Sequence, residues 1–171
     1  PLHKAFQILE DEMLVESDPR RGIFVRKPSL EEYIEAFECR EVLEGLGARK
    51  AVEFISKDEI SELREIFMGF QSQKNINMNE YRKADQVFHE TIMKASGNHL
   101  LQKLNRFGSV LLRTFPKGIL MNVEESINDH FNILNALENG DADRAEEIIK
   151  THVRRARLAL TQELKNNNTE E

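Results

Sequence analysis

Asp85, His89, His130 and His152 are the residues of this chain whose types could do chemistry and whose positions are unexpected. Each falls at the centre of an apolar face when the sequence is wound at about 100° per residue, which brings positions three, four and seven apart onto one side of a helix. Around Asp85 the neighbours on that face are Tyr81, Phe88 and Ile92; around His130 they are Val123, Ile127, Ile133, Leu134 and Leu137; around His152 they are Ala145, Ile148, Ile149, Ala156 and Ala159. Polar groups in such places need a partner, and one shared divalent cation would satisfy all four. Asp85 and His89 are four apart, the spacing that lets two helical side chains reach one point without a loop to organise them. Two readings stand side by side at this level. One is a set of hydrogen-bonded core residues, the commoner fate of a single inward histidine; the other is a metal centre built from three helices. The remaining two of the five histidines, His3 and His99, fall near the chain start and a helix start.

Arg40 is also out of place, among Tyr33, Ala36, Phe37, Leu43, Gly47 and Ala51 on an inward face where an unpaired guanidinium would be costly. It either pairs internally with Glu44, four residues on, or clamps a ligand carboxylate in the bidentate geometry that Arg offers. Arg113 and Ser126 are further pocket candidates. Arg113 shares a polar row with Arg106 and Lys117, which suits plain solvation equally.

The elements that must position these residues are helices. A first stretch carries Leu2, Phe6, Leu9 and Met13 at helical spacing, with Pro1 where only a helix's first turn tolerates it. Val15 to Ser17, the turn-like Asp18-Pro19-Arg20-Arg21-Gly22, and Ile23 to Arg26 predict a short β-hairpin with a basic tip. Pro28 closes that segment. Ser29 with Glu32, and Ser56 with Glu59, are capping boxes that predict helices over about 29–55 and 56–73. Further helices are predicted over about 79–95, from Asn98 to Phe115 with a stop at Pro116 and Gly118, over about 123–138, and from the Asp141 cap to about Leu164, before a fraying tail from Lys165 to Glu171. Six amphipathic helices with short loops predict an all-α antiparallel bundle, because each apolar stripe must be buried against others.

Composition agrees. Hydrophobic residues make up 40% and charged ones 32%, with eight Gly and four Pro, the profile of a soluble helical protein with core enough to fold. A single cysteine, Cys39, excludes an intrachain disulfide, suits a reducing compartment such as the cytoplasm, and reads as a small buried hydrophobe. No apolar run approaches 18 residues, so neither export nor membrane spanning is expected. The formal charge of -6 speaks against the chain as a whole binding nucleic acid.

The order of these elements resembles the FadR-type branch of the GntR family of bacterial transcription regulators, over essentially the whole chain. Pro1-Leu2-His3-Lys4-Ala5-Phe6-Gln7-Ile8-Leu9-Glu10 followed by Leu14-Val15 is similar to the end of that family's recognition helix, and Pro19-Arg20-Arg21-Gly22-Ile23-Phe24-Val25 to its wing. Phe37-Glu38-Cys39-Arg40 with Leu43-Glu44, then Asp85-Gln86-Val87-Phe88-His89, Ala95-Ser96-Gly97-Asn98, Asp129-His130, and Gly140-Asp141 with His152 follow the effector-binding domain in order. The resemblance implies a partial winged helix-turn-helix DNA-binding domain over residues 1–28 and a helical effector-binding and dimerisation domain over 29–171. It further implies a divalent transition metal, zinc foremost with nickel or manganese as alternatives, on Asp85, His89, His130 and His152. Beside it would lie a small carboxylate effector, with Arg40, Arg113 and Ser126 as its contacts. His3, Lys4, Arg20 and Arg21 would face operator DNA, and the working unit would be a homodimer.

The chain departs from the pattern at His3-Lys4, where the family carries Arg-Glu, and at Met13, where Gly is usual and a left-handed helix end would be strained, so that a different turn is expected. A metal-dependent enzyme acting on a small organic acid is the competing class, although no dedicated general base stands beside the four ligands. A purely structural metal staple is the third.

Overall fold

The computed structural model describes residues 1–114 and 122–169. Its elements follow in the order α1 (Leu2–Asp11), β1 (Val15–Asp18), β2 (Gly22–Val25), α2 (Leu30–Ala51), α3 (Lys57–Gln71), α4 (Met78–Ala95), α5 (His99–Arg113), α6 (Val123–Glu138) and α7 (Ala142–Thr169). The expected helices are all present, for local reasons that the sequence carries. Both capping boxes close, with Ser29 and Ser56 accepting from the backbone of Glu32 and Glu59 while those carboxylates accept in return. Asn98 caps α5, and Asp141 Oδ1 accepts the Arg144 N–H to start α7. Asn77 and Asn122 supply two more caps.

Two helix ends differ from expectation. α2 stops at Ala51, where the Phe54 and Ile55 N–H groups both turn back onto the Ala51 carbonyl. α7 does not fray at Leu164 but continues to Thr169, helped by an i,i+4 bond from Gln162 to Asn166. The expected stop at Phe115, Pro116 and Gly118 lies outside the described residues. Cys39 is exposed rather than buried, because it shares the outward row of α2 with Glu35, Val42 and Leu46.

The end of α1 retains the left-handed turn that Met13 was expected to prevent. Met13 has φ of 55°, Leu14 N–H reaches the Leu9 carbonyl and Met13 N–H the Glu10 carbonyl, each at 2.9 Å. A non-glycine residue in this conformation costs about 1–2 kcal/mol. The turn is held from the other side, since the Leu14 carbonyl accepts from Arg26 N–H at the foot of the hairpin. β1 and β2 pair antiparallel from Val15↔Val25 to Asp18↔Gly22. At the tip, Asp18 Oδ1 accepts from the N–H groups of Arg20 and Arg21, and Gly22 takes the positive φ of 92° that a three-residue hairpin loop requires.

The helices form an antiparallel bundle, legible in the cross-helix pairs. Arg49, Glu41 and Glu38 on α2 meet Asp143 and Glu146, Arg154, and Arg157 on α7, so one number rises as the other falls. α5 opposes α2 in the same way, through Asn105 to Glu44 and Thr114 to Tyr33. α4 and α6 run in the same sense, as alternate helices of such a bundle do, with Tyr81 beside Ser126 and Asp85 beside His130. Gly47 lets α2 approach α4 closely: a Cβ there would enter the Met93 sulfur. The main core is centred on Phe67, Tyr81, Phe88, Ile92, Ile133, Leu134 and Ile149, and a smaller one on Tyr33, Ala36, Leu111 and Leu160. Among the described residues no helix is long and apolar enough to cross a membrane.

Candidate metal centre

α4 places Asp85 and His89 one turn apart on its inner face, and α6 and α7 bring His130 and His152 to the same point. One ligand-type atom from each of the four lies within 4.8 Å of the others. Asp85 Oδ1 is 3.3 Å from His130 Nε2 and 3.7 Å from His89 Nε2. A cation with bonds of about 2.1 Å in tetrahedral array needs ligand atoms about 3.4 Å apart, so two separations already match and the widest closes by side-chain rotation. The three histidines are buried, and His130 is fully so.

Behind the four stands a second layer of carboxylates. Glu44, fully buried on α2, sets Oε2 2.7 Å from His89 Nδ1, while Asp129 Oδ2 lies 3.3 Å from His152 Nδ1. Each carboxylate is itself backed by an arginine: Arg40 Nε donates to Glu44 Oε1 at 2.6 Å, and Arg155 donates to Asp129. A carboxylate hydrogen-bonded to Nδ1 of His152, and one in ion-pair contact with Nδ1 of His89, leave Nε2 of each ring for the centre, the arrangement that tunes histidine ligands generally. His130 has no such support. Neither of its ring nitrogens makes a hydrogen bond among the described residues, and its ring lies against Phe67 and Phe88, both at 4.2 Å between centroids. Its Nε2 faces Asp85 Oδ1 at 3.3 Å without making a hydrogen bond, so the buried imidazole keeps unmet polar atoms.

The electrostatics follow. Burial works against a charged His89, but the Glu44 carboxylate, with help from Asp85, overrides it and raises the group to about 9. Burial instead dominates at His130, which is pushed down to about 4 despite Asp85, with His152 and His89 opposing its charge. Burial would raise Glu44 and Asp85, yet Arg40 and His89 hold the first, and His89 and His130 the second, below the usual carboxylate range.

Relative to an unfolded value of about 6.5, His89 has a raised folded value, so its contribution to stability is complete below that pH and is lost as pH climbs through 9. His130 has a lowered one, and its contribution is complete above about 6.5 and lost as pH falls toward 4. The melting temperature of the protein in chelator should therefore peak near pH 6.5 and fall on both sides. A melting temperature that climbs steadily from pH 7 to 9 would contradict this assignment of charge.

The remaining sequence candidates are distributed as follows. Arg40 is mostly buried and makes the internal ion pair with Glu44. Ser126 is buried, with its hydroxyl accepting from Tyr81 at 2.8 Å. The side chain of Arg113 lies outside the described residues. His3 and Lys4 are exposed on α1, as are Arg20 and Arg21 at the hairpin tip, where the Arg21 guanidinium lies 5.1 Å from the Phe24 ring centre. Glu44 as a shared acceptor, Asp129 as the support for His152, and Asn105 on α5, whose amide donates to Glu44 Oε1 at 3.3 Å, were not singled out by spacing. Asn105 carried the same signal as the histidines, a polar residue in the buried row Leu101, Asn105, Gly108 and Leu111.

Residues 35–155 match the family model described as the FCD domain, a span that contains Arg40, Glu44 and all four clustered residues. Over 159 residues the chain is 26% identical to a probable D-xylose utilization operon transcriptional repressor of Paenarthrobacter nicotinovorans, covering 90% of this chain and 69% of that protein. It is 25% identical over 178 residues to the Uxu operon regulator of Haemophilus influenzae, covering 93% and 66%. The chain thus spans about two thirds of the length of these relatives. Its fold is similar to that of E. coli McbR/YncC, with a TM-score of 0.76 at 19% identity over 94% of this chain and 83% of the other. It is also similar to a GntR family member from Pseudomonas syringae pv. tomato, with a TM-score of 0.67 at 18% identity over 99% and 72%. The chain belongs to the FCD domain family of GntR-type transcription regulators.

Proposed function

We propose that this chain senses a small carboxylate metabolite through a divalent transition metal on Asp85, His89, His130 and His152, and couples that binding to operator recognition. The observation that carries the reading is the convergence of four ligand-type atoms from three helices, with carboxylates beside the Nδ1 atoms of two of the imidazoles. Three imidazoles and one carboxylate suit zinc, and also nickel or manganese. Such a cation would anchor a carboxylate ligand as a Lewis acid. Arg40 commits its Nε to Glu44, and the other N–H groups of its planar fork supply the second contact to that carboxylate. Ser126, which accepts from Tyr81, keeps its own hydroxyl proton to donate, and Arg113 is the further pocket contact.

Residues 1–28 form the DNA-facing part in this reading, with His3 and Lys4 on α1 and Arg20 and Arg21 at the hairpin tip oriented on phosphate or groove. Residues 29–171 form the sensing and dimerisation part, a homodimer matching a two-fold operator. Relatives described as an operon repressor and an operon regulator support this half of the proposal.

The test is a thermal-shift series of small organic acids on chelated and zinc-loaded protein. An acid at a hundred times its dissociation constant stabilises by about 2.7 kcal/mol, and this gain is expected only with metal present. Equal gains in chelator would contradict the coupled site. Turnover of the acid by the loaded protein would instead favour an enzyme.

A further inference from the structure

Resting on that reading of the site, we infer that Asn105 selects the ligand, and that the ligand is a hydroxy acid whose hydroxyl donates to Asn105 Oδ1. The starting observation is an asymmetry in one buried carboxamide. Asn105 is buried on α5, its Nδ2 donates to Glu44 Oε1, and its Oδ1 is buried without a hydrogen-bond partner among the described residues. The orientation of the amide is not arbitrary. Glu44 Oε1 already accepts from Arg40 Nε, so the NH2 end of the amide faces it and the carbonyl end faces away. The hydroxyl of Ser109 does not satisfy that oxygen, since it donates to the Asn105 backbone carbonyl.

The location then limits what can fill the need. Glu44 Oε1 accepts from Asn105 and from Arg40 Nε, and Glu44 Oε2 stands against His89, so a single carboxylate connects Asn105 to the carboxylate clamp and to the metal cluster. A ligand carboxylate on Arg40 and the cation would lie one shared carboxylate, Glu44, away from that amide, and we place the ligand's next atoms beside it. An acceptor there rewards a hydroxyl and rejects a second carboxylate, which has no proton to give. An ammonium would donate as well, but the guanidinium of Arg40 and the cation beside it disfavour a further positive charge. Because the acceptor is already buried and unpaired, a ligand hydroxyl that reaches it gains a hydrogen bond that a ligand lacking the hydroxyl forgoes.

Matched pairs of acids test this by titration calorimetry on zinc-loaded protein: lactate with propionate, malate with succinate, and gluconate with its 2-deoxy counterpart. Wild type should prefer the hydroxy member of at least one pair by about tenfold or more. Asn105→Leu should bring the two members of that pair to equal affinity. Asn105→Ala provides the same comparison if the Leu variant does not fold. Equal affinities within every pair that binds wild type, or a hydroxyl preference that survives both substitutions, would overturn the role of Asn105 alone. Failure of every acid to bind wild type would overturn the reading of the site itself, and the inference with it.

Discussion

Replacing His130 by Leu is expected to leave the metal-free protein as stable as wild type or more so, and to abolish its stabilisation by zinc. The first half follows from the surroundings of the ring. It is fully buried between Phe67 and Phe88, its nitrogens make no hydrogen bond among the described residues, and burial drives it to the neutral form at any pH above about 4. An apolar side chain of similar size removes an unsatisfied polar group worth about 1–3 kcal/mol, against some loss of ring contact. The second half follows from geometry, because His130 Nε2 is the atom nearest Asp85 in the cluster. Loss of a supporting partner alone costs a metal site about 10–100-fold in affinity, and loss of a ligand should cost more. Thermal melts of both proteins with zinc and with chelator measure the two halves together. A variant that loses several degrees in chelator yet still gains from zinc would show that His130 is a packing residue and not a ligand.

Replacing Glu44 by Leu should have the opposite signature, a loss of about 3–5 kcal/mol in metal-free protein. Glu44 is fully buried, accepts from Arg40 and Asn105 on one oxygen and has His89 Nδ1 in ion-pair contact with the other, so its removal strands a buried guanidinium and two further polar groups. The attraction itself need not be stabilising relative to an apolar pair; the cost lies in leaving one partner alone. Accordingly the double variant Arg40→Met/Glu44→Leu should recover most of the loss. Urea unfolding of the two single variants and the double variant gives the coupling. A single-variant loss below about 1 kcal/mol would mean that solvent reaches Glu44.

Helical periodicity made the inward positions of Asp85, His89, His130, His152 and Arg40 legible, because angle around a helix axis depends only on residue number. It also made the caps legible, since Ser29 and Ser56 act on residues three away. What periodicity cannot reveal is which helix faces which. Glu44 was visible as a neighbour of Arg40, but its approach to His89 depends on α2 lying against α4, which Gly47 permits by having no side chain to collide with Met93. Asp129 lies about 100° away from His130 on α6 and looks off the face, yet α7 covers that side and turns it into the partner of His152. Asn105 also interrupts an apolar row, but a neutral amide is a weaker signal there than an imidazole. At Met13 the local penalty is legible and its outcome is not, since the Arg26 contact from the hairpin lies beyond the turn itself.

Arg26, at the foot of the hairpin, is ion-paired with Glu32, and Glu32 closes the capping box of α2. Glu44 stands twelve residues further along that same unbroken helix, about 18 Å away at 1.5 Å per residue. A rod of this kind behaves as a lever. Any tilt imposed on it near Arg40 and Glu44 reappears at the other end as a sideways swing of the basic hairpin, with no need for a chain of altered contacts between the two.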